Sequence, residues 1–136
     1  MGINSSKKIG FTCGVFDFVH AGHVVHFEEC KHYCDYLIVG LQIDPSIDRY
    51  EKNKPIMSVD ERYVMLKANK YVDKIIIYRT EKELIELEKD LEVDFRFRGI
   101  EHKDKPHYFT KGKFIDIIGD NTIHSSDIRK KCQKHL

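Results

Sequence analysis

Gly14-Val15-Phe16-Asp17-Phe18-Val19-His20-Ala21-Gly22-His23 is the stretch on which the reading of this chain turns. Before it, Ile9-Gly10-Phe11-Thr12-Cys13 alternates so that Ile9, Phe11 and Cys13 share one face of a strand. After it, Val24, Val25, Phe27, Cys30 and Tyr33 recur at helical spacing. The stretch therefore sits where a strand turns into a helix, and a helix N-terminus offers unpaired N–H groups and a positive dipole end to an anion. Gly14 permits a tight turn out of the strand, and Gly22 lets backbone approach a ligand that a side chain would push away. With a helix starting near Ala21, His20 and His23 project together as N–H donors to phosphoryl oxygens. Neither needs to be a nucleophile, because phosphoryl and nucleotidyl transfer rest mainly on positioning and on neutralising charge at phosphorus.

The rest of the chain alternates strands with helices. Asp35 to Asp44 is an almost unbroken apolar run of the kind buried on both faces of a parallel sheet. Pro45 to Pro55 is polar and reads as a loop leaving the C-terminal end of that strand, which makes Lys52 and Lys54 candidates for triphosphate or pyrophosphate contacts. Ser58 and Glu61 form a capping box that opens a helix running to about Tyr71. Val72 to Tyr78 is a third strand. Thr80 and Glu83 cap a further helix whose Leu84, Leu87 and Leu91 mark one core-facing side. Val93 to Gly99 and Lys113 to Ile118 complete five strands, and Ser125 and Ser126 cap a final helix with Arg129, Lys130 and Lys131 near its start. The fourth strand ends in Gly99 at the ligand edge, and the polar and aromatic segment from Ile100 to Gly112 reads as an acceptor-binding or lid segment, with Arg98 and Glu101 as ligand contacts.

Composition narrows the classes of function. A chain of 136 residues is one domain, here the whole of 1–136, and it can bury a core without metal or disulfide staples. The 23 basic residues against 22 acidic ones leave a formal charge of +1, so bulk electrostatics make no case for a nucleic-acid partner. No apolar run approaches the roughly 18 residues of a membrane span. The first residues lack the apolar core of a signal peptide, so a cytoplasmic location is expected. Cys13, Cys30, Cys34 and Cys132 contain no C-x-x-C pair. Cys30 and Cys34, one helical turn apart, mimic a metal cluster with His26 or His32 but read as packing residues, and no metal ligands are expected from the chain.

The motif resembles the signature of the cytidylyltransferase-like nucleotidyltransferases, G-x-F-D-x-x-H-x-G-H on the first strand-to-helix turn, and every fixed position of that pattern is present. The resemblance covers roughly Lys8 to Lys131 and is closest to the glycerol-3-phosphate cytidylyltransferases. It implies a single Rossmann-like α/β domain with a five-stranded parallel sheet. It also implies CTP as nucleotide substrate, a small phosphorylated acceptor such as glycerol 3-phosphate, Mg2+ carried with the triphosphate, and a homodimer. In that frame His20, His23, Lys54 and Arg62 are the catalytic set. Cys13, Gly14, Val15, Phe16, Asp17, Gly22, Lys52, Lys70, Arg98, Gly99, Glu101, Ser125, Ser126 and Arg129 bind the nucleotide. Asp17 fixes the loop through backbone hydrogen bonds. Arg62 and Lys70 fall at the family's phosphate-holding positions, and Ser125, Ser126 and Ile128 at its Ser/Thr-Ser/Thr-x-Ile motif. The chain departs from the family just before that motif, where Gly119-Asp120-Asn121-Thr122-Ile123-His124 stands in place of an R-T-x-G-like run. The departure keeps two other expectations open: an ATP-using adenylyltransferase of the same superfamily, and a catalytically silent nucleotide-binding subunit.

Overall fold

The computed structural model describes residues 7–99, 109, 111–117 and 130–133. In chain order they form β1 (Ile9–Gly14), α1 (Ala21–Tyr33), β2 (Tyr36–Gln42), α2 (Val59–Lys67), β3 (Lys74–Tyr78), α3 (Glu81–Asp90), β4 (Phe95–Gly99) and β5 (Lys113–Ile117). A 3-10 turn, Pro45–Ile47, follows β2. The strands make one sheet of order β3-β2-β1-β4-β5, and each neighbouring pair is parallel. This is the five-stranded parallel α/β domain that the alternation of strands and helices predicts.

Side-chain alternation on the strands divides the core into two layers. Leu37, Val39 and Leu41 of β2 and Phe97 of β4 pack with Phe27 and Cys30 of α1 and Leu66 of α2. Phe11 of β1, Ile38 of β2 and Phe114 of β5 pack instead with Leu84, Leu87 and Leu91 of α3, the leucine stripe expected to be core. The first two helices therefore cover one face and the third covers the other. Right-handed crossovers require this once the chain, having moved outward from β1 through β2 to β3, jumps back to β4 on the other side of β1. The reversal between β1 and β4 opens a crevice at their carboxyl ends.

Local sequence sets most of the boundaries. Ser58 with Glu61 and Thr80 with Glu83 form the two reciprocal capping boxes, each with both bonds made. The helix opened by Ser58 ends at Lys67, short of Tyr71, because Asn69 caps a turn through its side-chain bond to the Tyr71 N–H. In α1 only Phe27 and Cys30 are fully buried, while Val24 and Tyr33 stay exposed at its margins. Cys34 donates to the Cys30 carbonyl, and burial pushes its thiol up to about 11 and that of Cys30 further still. Both cysteines act as packing residues. Among the described residues no helix is long and apolar enough to cross a membrane.

On the α3 face lies a buried ion pair that sequence reading does not anticipate. Arg96 of β4 donates from Nε to Glu88 Oε1 at 2.7 Å, and the two side chains are 7% and 3% exposed. The guanidinium also bonds the Phe97 carbonyl and Cys13 Sγ, and it lies over the rings of Phe11 and Phe114. Removing one member strands a charge away from water. Glu88→Ala is expected to lower stability by about 3–5 kcal/mol, measured as a fall in the urea midpoint at unchanged slope.

Candidate active site

The loop between β1 and α1 is shaped by two residues in the left-handed region, Phe16 and Phe18, both at φ 54°. Non-glycine residues are held there only when surroundings over-determine them, and here the surroundings are on both sides. The Phe16 ring is 8% exposed and packs edge-on against His23 at 5.4 Å and against Phe27 at 5.3 Å. The Phe18 N–H points to Met57 Sδ at 3.4 Å. Between them, Asp17 is buried and accepts the N–H groups of Ile56 through Oδ2 at 2.9 Å and of Met57 through Oδ1 at 3.0 Å. Asp17 thus ties this loop to the segment entering α2.

His20 and His23 begin the helix as its capping pair. His20 is the N-cap, and its Nδ1 accepts the Gly22 N–H at 3.0 Å, while His23 Nδ1 accepts the His20 N–H at 3.2 Å. An Nδ1 that accepts a hydrogen bond carries no proton, so each imidazole holds its proton on Nε2. The rings stack at 4.0 Å with an interplanar angle of 28°. Burial first, then the neighbouring His20 and His26, lower the pKa of His23 to about 3, so it is neutral at physiological pH. The N–H groups of His23 and Val24 both go to the His20 carbonyl. Gly22, His23 and Val24 therefore spend their backbone donors within the turn, and the Nε2 of His20 lies buried at the start of α1.

Arg62 lies at the ligand edge but is buried within it. It is 2% exposed, and its guanidinium is consumed by main-chain carbonyls: Nε to Met57 at 3.1 Å, Nη1 to Val15 at 2.9 Å and to Gln42 at 2.6 Å, and Nη2 to Ile43 at 2.6 Å. The expectation of a phosphate-holding arginine is corrected by this geometry, which makes Arg62 a clamp on the loops that carry the site. Lys70 is corrected as well. It follows the C-terminal end of α2, and the next strand starts with Lys74 beside Ile38 near the beginning of β2. That is the amino edge of a parallel sheet, opposite the histidines, and Lys70 lies over the Tyr71 ring.

A family comparison matches this layout over most of its length, because the cytidylyltransferase-like family fits residues 11–131. The chain belongs to the cytidylyltransferase-like family. It is similar to the bifunctional protein HldE of Campylobacter jejuni (strain 81116), 40% identical over 74% of this chain and 22% of that protein. Similarity to HldE of Aliarcobacter butzleri is 34% over 95% of this chain and 29% of that protein. A probable ethanolamine-phosphate cytidylyltransferase of Encephalitozoon cuniculi is 39% identical over 57% of this chain and 24% of its own length. The chain thus spans less than a third of the length of these relatives. In fold it resembles a lipopolysaccharide core biosynthesis protein of Thermoplasma volcanium, with a TM-score of 0.61 at 21% identity over 96% of this chain and 89% of that one.

The remaining family positions divide by place. Gly14 and Gly99 end β1 and β4 on either side of the crevice, and a Cβ at Gly14 would stand 3.1 Å from the Phe16 ring. Val15 offers its carbonyl to Arg62, so its backbone is structural. The Cys13 thiol meets Arg96 on the α3 side of the sheet, away from the α1 histidines. Lys52 and Lys54 are exposed on the loop that Asp17 fastens, and Lys54 is near enough to Asp44 to help hold that carboxyl below its ordinary range, after the Ser46 hydroxyl bond. Arg98 projects beside Gly99, paired with Asp116 at 3.0 Å and stacked over Phe114 at 4.7 Å. Glu101, Ser125, Ser126 and Arg129 lie outside the described residues. The carbonyl cluster around Arg62 was invisible to sequence reading, since its members come from three separate segments.

The neutral state of His23 has a consequence for stability. In the unfolded chain His23 takes up its proton near pH 6.5, but in the fold only near pH 3. Between these values the unfolded state holds the extra proton, so stability falls as pH falls. His23→Gln keeps a side-chain acceptor without this titration. Its urea midpoint is expected to drop less steeply than the parent's from about pH 7 to about pH 4.

Proposed function

We propose that this chain is a nucleotidyltransferase that moves CMP from CTP to a small phosphorylated acceptor, with release of pyrophosphate. The observation that carries the reading is the stacked pair of imidazoles at the start of α1, each with its Nδ1 accepting a backbone N–H so that the ring proton is held on Nε2. An acceptor phosphate oxygen, already ionised, attacks the α-phosphorus of CTP in line. The new oxygen–phosphorus bond forms as the bond to the bridging oxygen breaks, and pyrophosphate departs with that electron pair. His20 and His23 donate to the oxygens on which negative charge grows, and Lys54 and Lys52 neutralise the leaving pyrophosphate. Arg98, beside Gly99 in the crevice, contacts the nucleotide.

Asp17 spends both oxygens on backbone N–H groups, and among the described residues no three His, Cys, Asp or Glu side chains are grouped as a cation cage. A magnesium ion carried with the triphosphate would supply charge neutralisation on the leaving group. Membership of the family and the cytidylyltransferase among the relatives favour CTP and a phosphate-bearing acceptor. We infer a polyol or sugar phosphate such as glycerol 3-phosphate, in cytoplasmic synthesis of cell-wall or capsule precursors.

The test is pyrophosphate release with magnesium, CTP and ATP in parallel, against glycerol 3-phosphate, ethanolamine phosphate and a panel of sugar phosphates. Release with CTP and one acceptor is expected. His20→Ala and His23→Ala are each expected to lower kcat by about a hundredfold to a thousandfold. Release with ATP alone would replace CTP in this reading, and no release with any pair would make the chain a silent nucleotide-binding subunit.

A further inference from the structure

His26, on the second turn of α1, takes no part in the reaction as described. In sequence it stands three residues after His23, which stands three after His20, so the three rings follow one side of the helix. Its Nε2 is joined to Thr12 Oγ1 by a hydrogen bond of 2.9 Å. Thr12 is 2% exposed on β1, two residues before Gly14. A hydroxyl in such a place is costly unless it is bonded, and the histidine of the covering helix meets it. The His26 ring also packs edge-on against Phe27 at 5.9 Å, which is fully buried.

This bond crosses from strand to helix immediately behind the loop that holds the histidine pair. It fixes how far α1 slides along β1 and how it is rotated, and both ends of the loop issue from these two elements. His26 also acts on His23 directly, since a charge on the former opposes protonation of the latter. We propose that His26 is a positioning residue which, bonded to Thr12, sets where α1 begins relative to β1 and so where the Nε2–H groups of His20 and His23 point. The proposal rests on the reading of those two groups as donors to the reacting phosphate. Such donors must be held to within about 0.5 Å of their productive place.

The experiment compares His26→Leu, His26→Gln and Thr12→Val with the parent, at a temperature where circular dichroism shows all of them folded. His26→Leu is expected to lose about tenfold or more in kcat with KM for CTP changed less than about twofold, a displacement effect on the reacting centre. His26→Gln, which keeps a polar partner for Thr12, regains most of that loss. Thr12→Val repeats it, and the double variant is no worse than either single one, as two members of one contact require. A folded His26→Leu with parental kcat, or losses that multiply in the double variant, would overturn the proposal.

A second readout does not depend on turnover. Side-chain nitrogen resonances of His23 should shift in His26→Leu and Thr12→Val and return toward the parent in His26→Gln. If the parent released no pyrophosphate but these shifts appeared, the functional reading would fall and the positioning would stand. If the resonances stayed fixed in all variants, the positioning itself would be wrong.

Discussion

The site depends on one buried guanidinium. Parallel strands deliver their chain ends to the same edge of the sheet, where main-chain carbonyls that have run past the last ladder bond are left facing one another. At this edge the carbonyls of Val15, Gln42, Ile43 and Met57 converge on Arg62, which reaches them with a planar fork of donors that a lysine does not possess. Burial lowers the pKa of Arg62, while the carboxylates of Asp17 and Asp44 raise it and so hold the charge in place. Asp17 completes the arrangement from the opposite sign, accepting the N–H groups just before α2. Cation and anion together join the loop after β1, the end of β2 and the entry to α2 into one surface.

On that surface the histidines do two things with their two nitrogens. Nδ1 satisfies the backbone at the start of α1, as a serine and glutamate do for α2. The ring proton is thereby left on Nε2 without the need for a positive charge. A neutral donor interacts less with a ground-state triphosphate than a cation would, and its hydrogen bond strengthens as charge gathers on the oxygens it faces. In the proposed reaction, burial of His23 would serve selectivity for the transition state, and the exposed lysines of the neighbouring loop would supply the positive charge.

Much of the fold was legible because its determinants are local. The alternation Ile9, Phe11, Cys13 placed one face of β1 correctly, and two capping boxes marked the starts of α2 and α3. The role of Asp17 was legible too, since a carboxylate in a tight loop has backbone N–H groups within reach. What escaped were contacts assembled by topology. Arg62 reads as a helix-surface charge until the sheet gathers carbonyls beneath it. Lys70 reads as near the ligand until strand direction is followed, after which α2 must carry it to the far edge. His26 drew attention through its neighbours Cys30 and Cys34, yet the cysteines turn into the core while His26 meets a strand threonine fourteen residues earlier. Spacing on a helix defines a face but does not say what that face will touch.

The strand order explains why these pieces meet where they do. In β3-β2-β1-β4-β5 the chain moves outward from β1 through β2 to β3 and then returns to β4 on the other side of β1, which sets the crevice between β1 and β4. The loop after β1 rises toward α1 and leaves room beside it, and β4 ends in a glycine that keeps that room free of a side chain. Arg98 enters from the α3 side, anchored on Asp116 of β5, and the histidines enter from the α1 side, anchored on their own backbone. A phosphate chain lying in the crevice would meet a cation held by a carboxylate on one flank and neutral donors on the other. That asymmetry suits a substrate whose charge must be drawn toward one end as a bond breaks.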